Sequence, residues 1–98
     1  MPRRRVRFHE VAEAELDAAA AWYDQQRQGL GGQLITAIGA KITAILETPV
    51  RWPRVGRTRR ALVGRFPYSI VYRELSHDEI EIVAVAHARR RPGYWRRR

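Results

Sequence analysis

The stretch Tyr68-Ser69-Ile70-Val71-Tyr72-Arg73-Glu74, then Ser76-His77-Asp78-Glu79, then Ile80-Glu81-Ile82-Val83-Ala84-Val85-Ala86-His87, decides the fold. Tyr68, Ile70 and Tyr72 alternate with Ser69, Val71 and Arg73, which is the two-residue period of a strand. In the second run the same period assigns Ile80, Ile82, Ala84 and Ala86 to one face and Val83, Val85 and His87 to the other. The polar tetrad between the runs suits a hairpin turn. A shorter candidate strand, Arg60-Ala61-Leu62-Val63, precedes the pair. The three make an antiparallel meander.

Upstream the period changes. After a short alternating strand, Val6-Arg7-Phe8-His9, a helix is predicted from about Glu10. Val11, Ala12, Leu16, Ala19, Ala20 and Tyr23 fall at three- and four-residue steps and form one apolar face. Glu10, Glu13, Glu15 and Asp17 crowd its first turns, where the helix dipole favours acids. Gly29, Gly31 and Gly32 mark a tight turn. A second helix is predicted from about Gly32 to Glu47 on the stripe Ile35, Ile38, Ile42 and Ile45, stopped by Thr48-Pro49, because the residue before proline resists helical backbone. From Pro49 to Arg60 the chain reads as loop. The expected class is α+β: an N-terminal strand, an antiparallel helical hairpin, and the three-stranded antiparallel meander forming one sheet. Residues 1–98 are read as a single domain ending in an Arg-rich tail, 89–98.

Composition narrows the function. There is no cysteine, which excludes disulfides, thiolate metal sites and a cysteine nucleophile. The basic opening lacks the apolar run of a signal peptide, and no stretch is long enough to span a bilayer. A cytoplasmic protein without a membrane partner is expected. The net charge of +9 is uneven: residues 1–50 hold six Arg or Lys against six acids, residues 51–98 thirteen Arg against four acids. Such asymmetry points to nucleic acid or an acidic protein segment. Lys41 is the single lysine, and arginine grips phosphate and carboxylate bidentately where lysine cannot. The competing reading is a solvated surface kept for solubility.

Arg60-Ala-Leu-Val-Gly-Arg65-Phe66-Pro67-Tyr68, the strand ending Tyr72-Arg73, the strand ending His87, and Arg90-Arg91-Pro92 with Tyr94-Trp95 together resemble the C-terminal half of RelE/ParE toxins. Phe8-His9-Glu10, the Leu30-Gly31 turn and Thr48-Pro49 resemble the family's opening and helical hairpin. No single motif is specific; their order and spacing are. The resemblance implies a toxin of a type II toxin–antitoxin pair, neutralised by a cognate antitoxin and joined through it to operator DNA. It implies one of two targets: DNA gyrase for ParE-type members, or ribosome-bound mRNA for RelE-type endonucleases. The surplus of arginine predicts an antitoxin C-terminal segment that is acidic.

Cleavage through an RNA 2′-hydroxyl needs a base, an acid and cations on the phosphate. Arg65, His87 and Tyr94 are the candidate catalytic set if the chain is RelE-like, with Glu47 a distant candidate base. Arg65, Arg73, Arg89, Arg90, Arg91 and Trp95 are the candidates for target or phosphate binding. Each has a structural alternative. His87 can hold a loop carbonyl, and Arg65 can pair with Glu74 or Glu81. Trp22 and Tyr23 are expected to cover the hairpin seam, Trp52 to anchor a loop, and Glu13, Asp17 and Asp24 to form a solvated face. Trp95, in a basic tail, has the best claim of the aromatics to a partner surface. No metal or cofactor is expected, because no ligand spacing such as His-Glu-x-x-His occurs. The RelE-type lysine cluster is missing, and arginine cannot donate a proton in its place. The sequence therefore leans to the ParE-like reading.

Overall fold

The computed structural model describes residues 4–98; Met1, Pro2 and Arg3, part of the basic opening segment, lie outside the described residues. The elements are β1 (Arg5–Phe8), α1 (Glu10–Gln26), α2 (Leu30–Glu47), a 3₁₀ turn (Pro49–Arg51), β2 (Arg54–Val55), β3 (Thr58–Leu62), β4 (Tyr68–Ser76) and β5 (Glu79–His87). They form an α+β domain with one five-stranded sheet in the order β1-β5-β4-β3-β2. The meander is antiparallel throughout, while β1 runs parallel to β5 and pairs Val6 with Ile80 and Phe8 with Ile82. The stretch read as loop from Pro49 holds the 3₁₀ turn and the short β2, which folds back on β3 through Gly56 at φ +63°.

His9 starts α1: its Nδ1 accepts the Val11 amide at 3.1 Å, satisfying one of the four unpaired N–H groups of a helix start. Its apolar face buries Ala12, Ala19 and Ala20. In α2 the buried stripe is Leu34, Ile38, Ile42 and Ile45, while Ile35 lies past its edge and is 48% exposed. The hairpin turn departs from expectation. Gly29 adopts φ +90°, but Gly31 lies inside α2. A Cβ there would stand 2.3 Å from the Ala20 carbonyl oxygen, so only glycine lets the helices approach this closely. Asp24, expected on a solvated face, accepts the Gly31 amide at 2.7 Å and caps α2.

The helices cover one face of the sheet. Between them lie Leu34, Ile38, Ile45, Ala61, Ile70, Tyr72, Ile80 and Ile82, almost wholly buried. A second cluster, Val71, Val83, Ala84, Ala86 and Trp95, fills the opposite face. The strict alternation predicted for β5 fails at one point. Val71 pairs with Ala84 but Tyr72 pairs with Ile82, leaving Val83 unopposed. This is a β-bulge, which inserts one residue and shifts the register beyond it. Val85 therefore joins Ile80 and Ile82 under the helices, while Ala84 and Ala86 join Val83 on the other side.

Candidate functional site

The tail after β5 folds back on the sheet through successive turns, with Ala88 donating to Pro67 O and Arg90 to His87 O. Its anchor is Trp95, which is 4% exposed. This corrects the expectation that Trp95 faces a partner: the indole closes the second cluster, because the helix-free face of a sheet with apolar side chains on both sides needs a cover. Trp22, expected to seal the helical seam, is instead 55% exposed, and Tyr23 alone packs inward against Phe66. Trp52 packs partly buried against the main core as the expected loop anchor.

A second anchor is Glu15. The β1 pairing ends at Ile82, so the far half of β5 has no neighbouring strand on that side. Glu15 Oε1 accepts the Val85 amide at 3.1 Å, and Arg98 donates to the Val83 carbonyl at 3.1 Å. The two side chains bond each other at 2.8 and 3.1 Å, and the Tyr94 hydroxyl donates to Glu15 Oε2 at 2.7 Å. A carboxylate and a guanidinium thus satisfy the edge where a strand is missing. Burial pushes the Glu15 carboxyl upward, but the bonds from Arg98, Tyr94 and Val85 outweigh it and hold the group below its ordinary value. Burial first, then its bond to Glu15, raises the Tyr94 hydroxyl well above the usual range.

Glu15, Trp22, Tyr68, His87, Arg90 and Tyr94 line a cavity of about 260 Å³. His87 and Tyr94 of the candidate catalytic set meet here. Arg65 does not: it donates to Gln33 at 2.7 Å and lines a separate hollow along α2. Neither Glu74 nor Glu81 pairs with it; Glu81 holds Arg73, with Nε–Oε1 at 2.7 Å, and Glu74 holds Arg59. His87 is edge-on to Tyr68, and its Nδ1 accepts the Arg89 amide at 3.0 Å. Arg90 lies over the Tyr94 ring, 4.0 Å from its centroid. Arg89, Arg90 and Arg91 are exposed and make no ion pair among the described residues. Glu47, the distant candidate base, is exposed at the end of α2. Among the described residues no group of three or more His, Asp or Glu stands together as a metal site. Among the described residues no helix is long and apolar enough to cross a membrane.

Glu15 escaped the sequence reading, which took it with its neighbours as one of several acids favoured by the helix dipole. Its sole distinguishing signal is position: it lies near Ala12 and Ala19 on the inward side of α1 rather than with the exposed Glu10, Glu13 and Asp17.

The layered fold and arginine-laden surface define a small basic protein built around a partly covered sheet. A family model described as ParE toxin of type II toxin-antitoxin system, parDE, matches residues 6–92. The candidate toxin Y4kP of Sinorhizobium fredii is 32% identical over 90 residues, covering 90% of this chain and 92% of its own length. Among solved structures, a chain of a chromosomal ParDE toxin–antitoxin system from P. aeruginosa superimposes with a TM-score of 0.74 at 18% identity, over 86% of this chain and 95% of that one. The chain belongs to the ParE toxin family of type II toxin–antitoxin systems.

Proposed function

We propose that the chain is a cytoplasmic toxin that inhibits an essential target by binding it, with DNA gyrase as the expected target, and that a cognate antitoxin neutralises it. The observation that carries this reading is the separation of Arg65 from His87 and Tyr94. Phosphoryl chemistry needs its acid, base and cation within reach of one reacting group, and here the Arg65 side chain is turned to Gln33 and a different hollow, while His87 Nδ1 is taken by the Arg89 amide. The Tyr94 hydroxyl and both Glu15 oxygens are also committed to holding the tail. The exposed arginines Arg89, Arg90 and Arg91 supply a contact surface instead, with Arg65 a further contact at the α2 end.

The antitoxin segment is acidic with apolar anchors. Exposed Leu62 (65%), Ile35 (48%) and Trp22 (55%) offer seats for such anchors, and the net charge of +9 attracts carboxylates and makes association salt-sensitive. Operator DNA is reached through the antitoxin.

One observation favours a second reading, a RelE-like ribosome-dependent mRNA endonuclease: Glu15, His87, Arg90 and Tyr94 share one cavity, which supplies the carboxylate absent from the sequence-derived set. Expression of the chain alone in a bacterial host separates the two. Filamentation with intact transcripts, retained in His87→Ala, is expected for the binding toxin. New mRNA ends at ribosomes, lost in His87→Ala, would replace it with the nuclease. Undiminished supercoiling by gyrase with excess purified toxin would remove gyrase as the target.

A further inference from the structure

The helix-free face of the sheet carries a cavity of about 460 Å³ between the β2–β3 turn and the folded-back tail. Its walls include Arg57, Arg73, Arg96 and Arg98, its exposed apolar side chain is Val55, with Val83 and Trp95 buried beneath, and no acidic residue among the described residues lines it. Arg73 and Arg98 are paired with carboxylates, those of Glu81 and Glu15, which lie outside the cavity wall. Arg57 and Arg96 are exposed and have no ion pair among the described residues. Two guanidinium charges, those of Arg57 and Arg96, therefore stand uncompensated beside the hollow, and an anion entering it would gain attraction from both.

We propose that this cavity binds a nucleoside polyphosphate. The volume lies within the range of small-molecule sites and is too small for a folded segment or a nucleic-acid strand. Guanidinium groups match phosphate oxygens bidentately, and the apolar wall gives the base a place out of water. Arg96 is exposed beside the turn at Gly93. Gly93 turns at φ +81°, and a Cβ there would stand 2.7 Å from Arg96 Nε, so glycine lets the Arg96 side chain lie across the turn. The site is independent of which target the toxin poisons, and it includes Arg57 and Arg96, which the target-binding surface does not.

The test is calorimetric titration of the full chain with ATP, adenosine, inorganic triphosphate and a short single-stranded oligonucleotide at low ionic strength. ATP is expected to bind at one site, more tightly than triphosphate and far more tightly than adenosine. Arg57→Ala/Arg96→Ala should weaken ATP by roughly tenfold or more, whereas Arg5→Ala/Arg27→Ala, which removes the same charge elsewhere, should leave it within about twofold. Circular dichroism checks that the variants fold, and Arg57→Gln alone gives the same comparison with a single exposed change. No heat at millimolar ATP would overturn the proposal. So would equal weakening in both double variants, which means diffuse charge attraction, or oligonucleotide binding without ATP binding, which means a nucleic-acid surface.

Discussion

Tyr94 and Glu15 stand 79 positions apart in the chain and share a 2.7 Å hydrogen bond, the hydroxyl donating to Oε2. Arg98 completes the arrangement from the last position of the chain. The tail is thereby fixed to the first helix, and the open half of β5 is closed by side chains rather than by a strand. In this way the tail covers the sheet while its arginine triplet 89–91 stays in solvent.

Glu15→Gln keeps the shape of the side chain but removes the charge that holds Arg98. Stability should fall by about 1–3 kcal/mol, read from the urea midpoint, with faster amide exchange in residues 94–98. A pH effect follows from the same group. The folded-state carboxyl titrates below its ordinary 4.5, so its contribution is complete above that value and is lost as pH falls through the lower folded-state pKa. Urea titrations stepped downward from pH 7 should show that loss in the native chain, and a flatter profile in Glu15→Gln.

Two glycines of α2 should respond to alanine with opposite signs. At Gly31 the new methyl would meet the Ala20 carbonyl at 2.3 Å, forcing the helices apart at a cost of about 1–3 kcal/mol or more. At Gly39 nothing stands within 4 Å, so alanine should stabilise the helix by up to about 1 kcal/mol through its better propensity. Thermal melts of the two variants measure both.

Tyr72 is fully buried and donates its hydroxyl to the Pro49 carbonyl, tying the end of the helical hairpin to the sheet. Burial pushes the hydroxyl up to about 12. Tyr72→Phe should cost about 1–3 kcal/mol by leaving that carbonyl without its donor. The native chain should keep this contribution below the ordinary tyrosine value and lose it as pH rises through about 12. Alkaline unfolding followed by the tyrosinate absorbance reads this directly.

Trp95→Ala should cost about 3–5 kcal/mol and open the tail to limited proteolysis, because the indole closes a cluster on the sheet. Trp22→Ala, at a side chain 55% exposed, should change stability by less than about 1 kcal/mol. A similar loss of stability in the two variants, by chemical denaturation, would reverse this assignment.

Periodicity by itself determined the two helices, the β4–β5 hairpin and the α+β order. Each is a repeating pattern written in neighbouring residues and needs no knowledge of distant parts of the chain. Charge did likewise for the arginine surplus, and the order of motifs for the family. The tertiary structure decided the rest. The bulge at Val83 moved Val85 beneath the helices and Ala84 and Ala86 away from them, since alternation cannot report an extra residue unless the partner strand's register is known. Trp95 looked like a contact residue among arginines until the sheet face that needed covering was in place. Arg65 and His87 both read as candidate site residues, but only packing set them in separate hollows. Glu15 was one acid among four at the start of a helix. What singles it out is the end of β1 pairing at Ile82, which leaves the Val85 amide in need of an acceptor, a requirement created by chain segments 70 positions away and therefore absent from the local sequence.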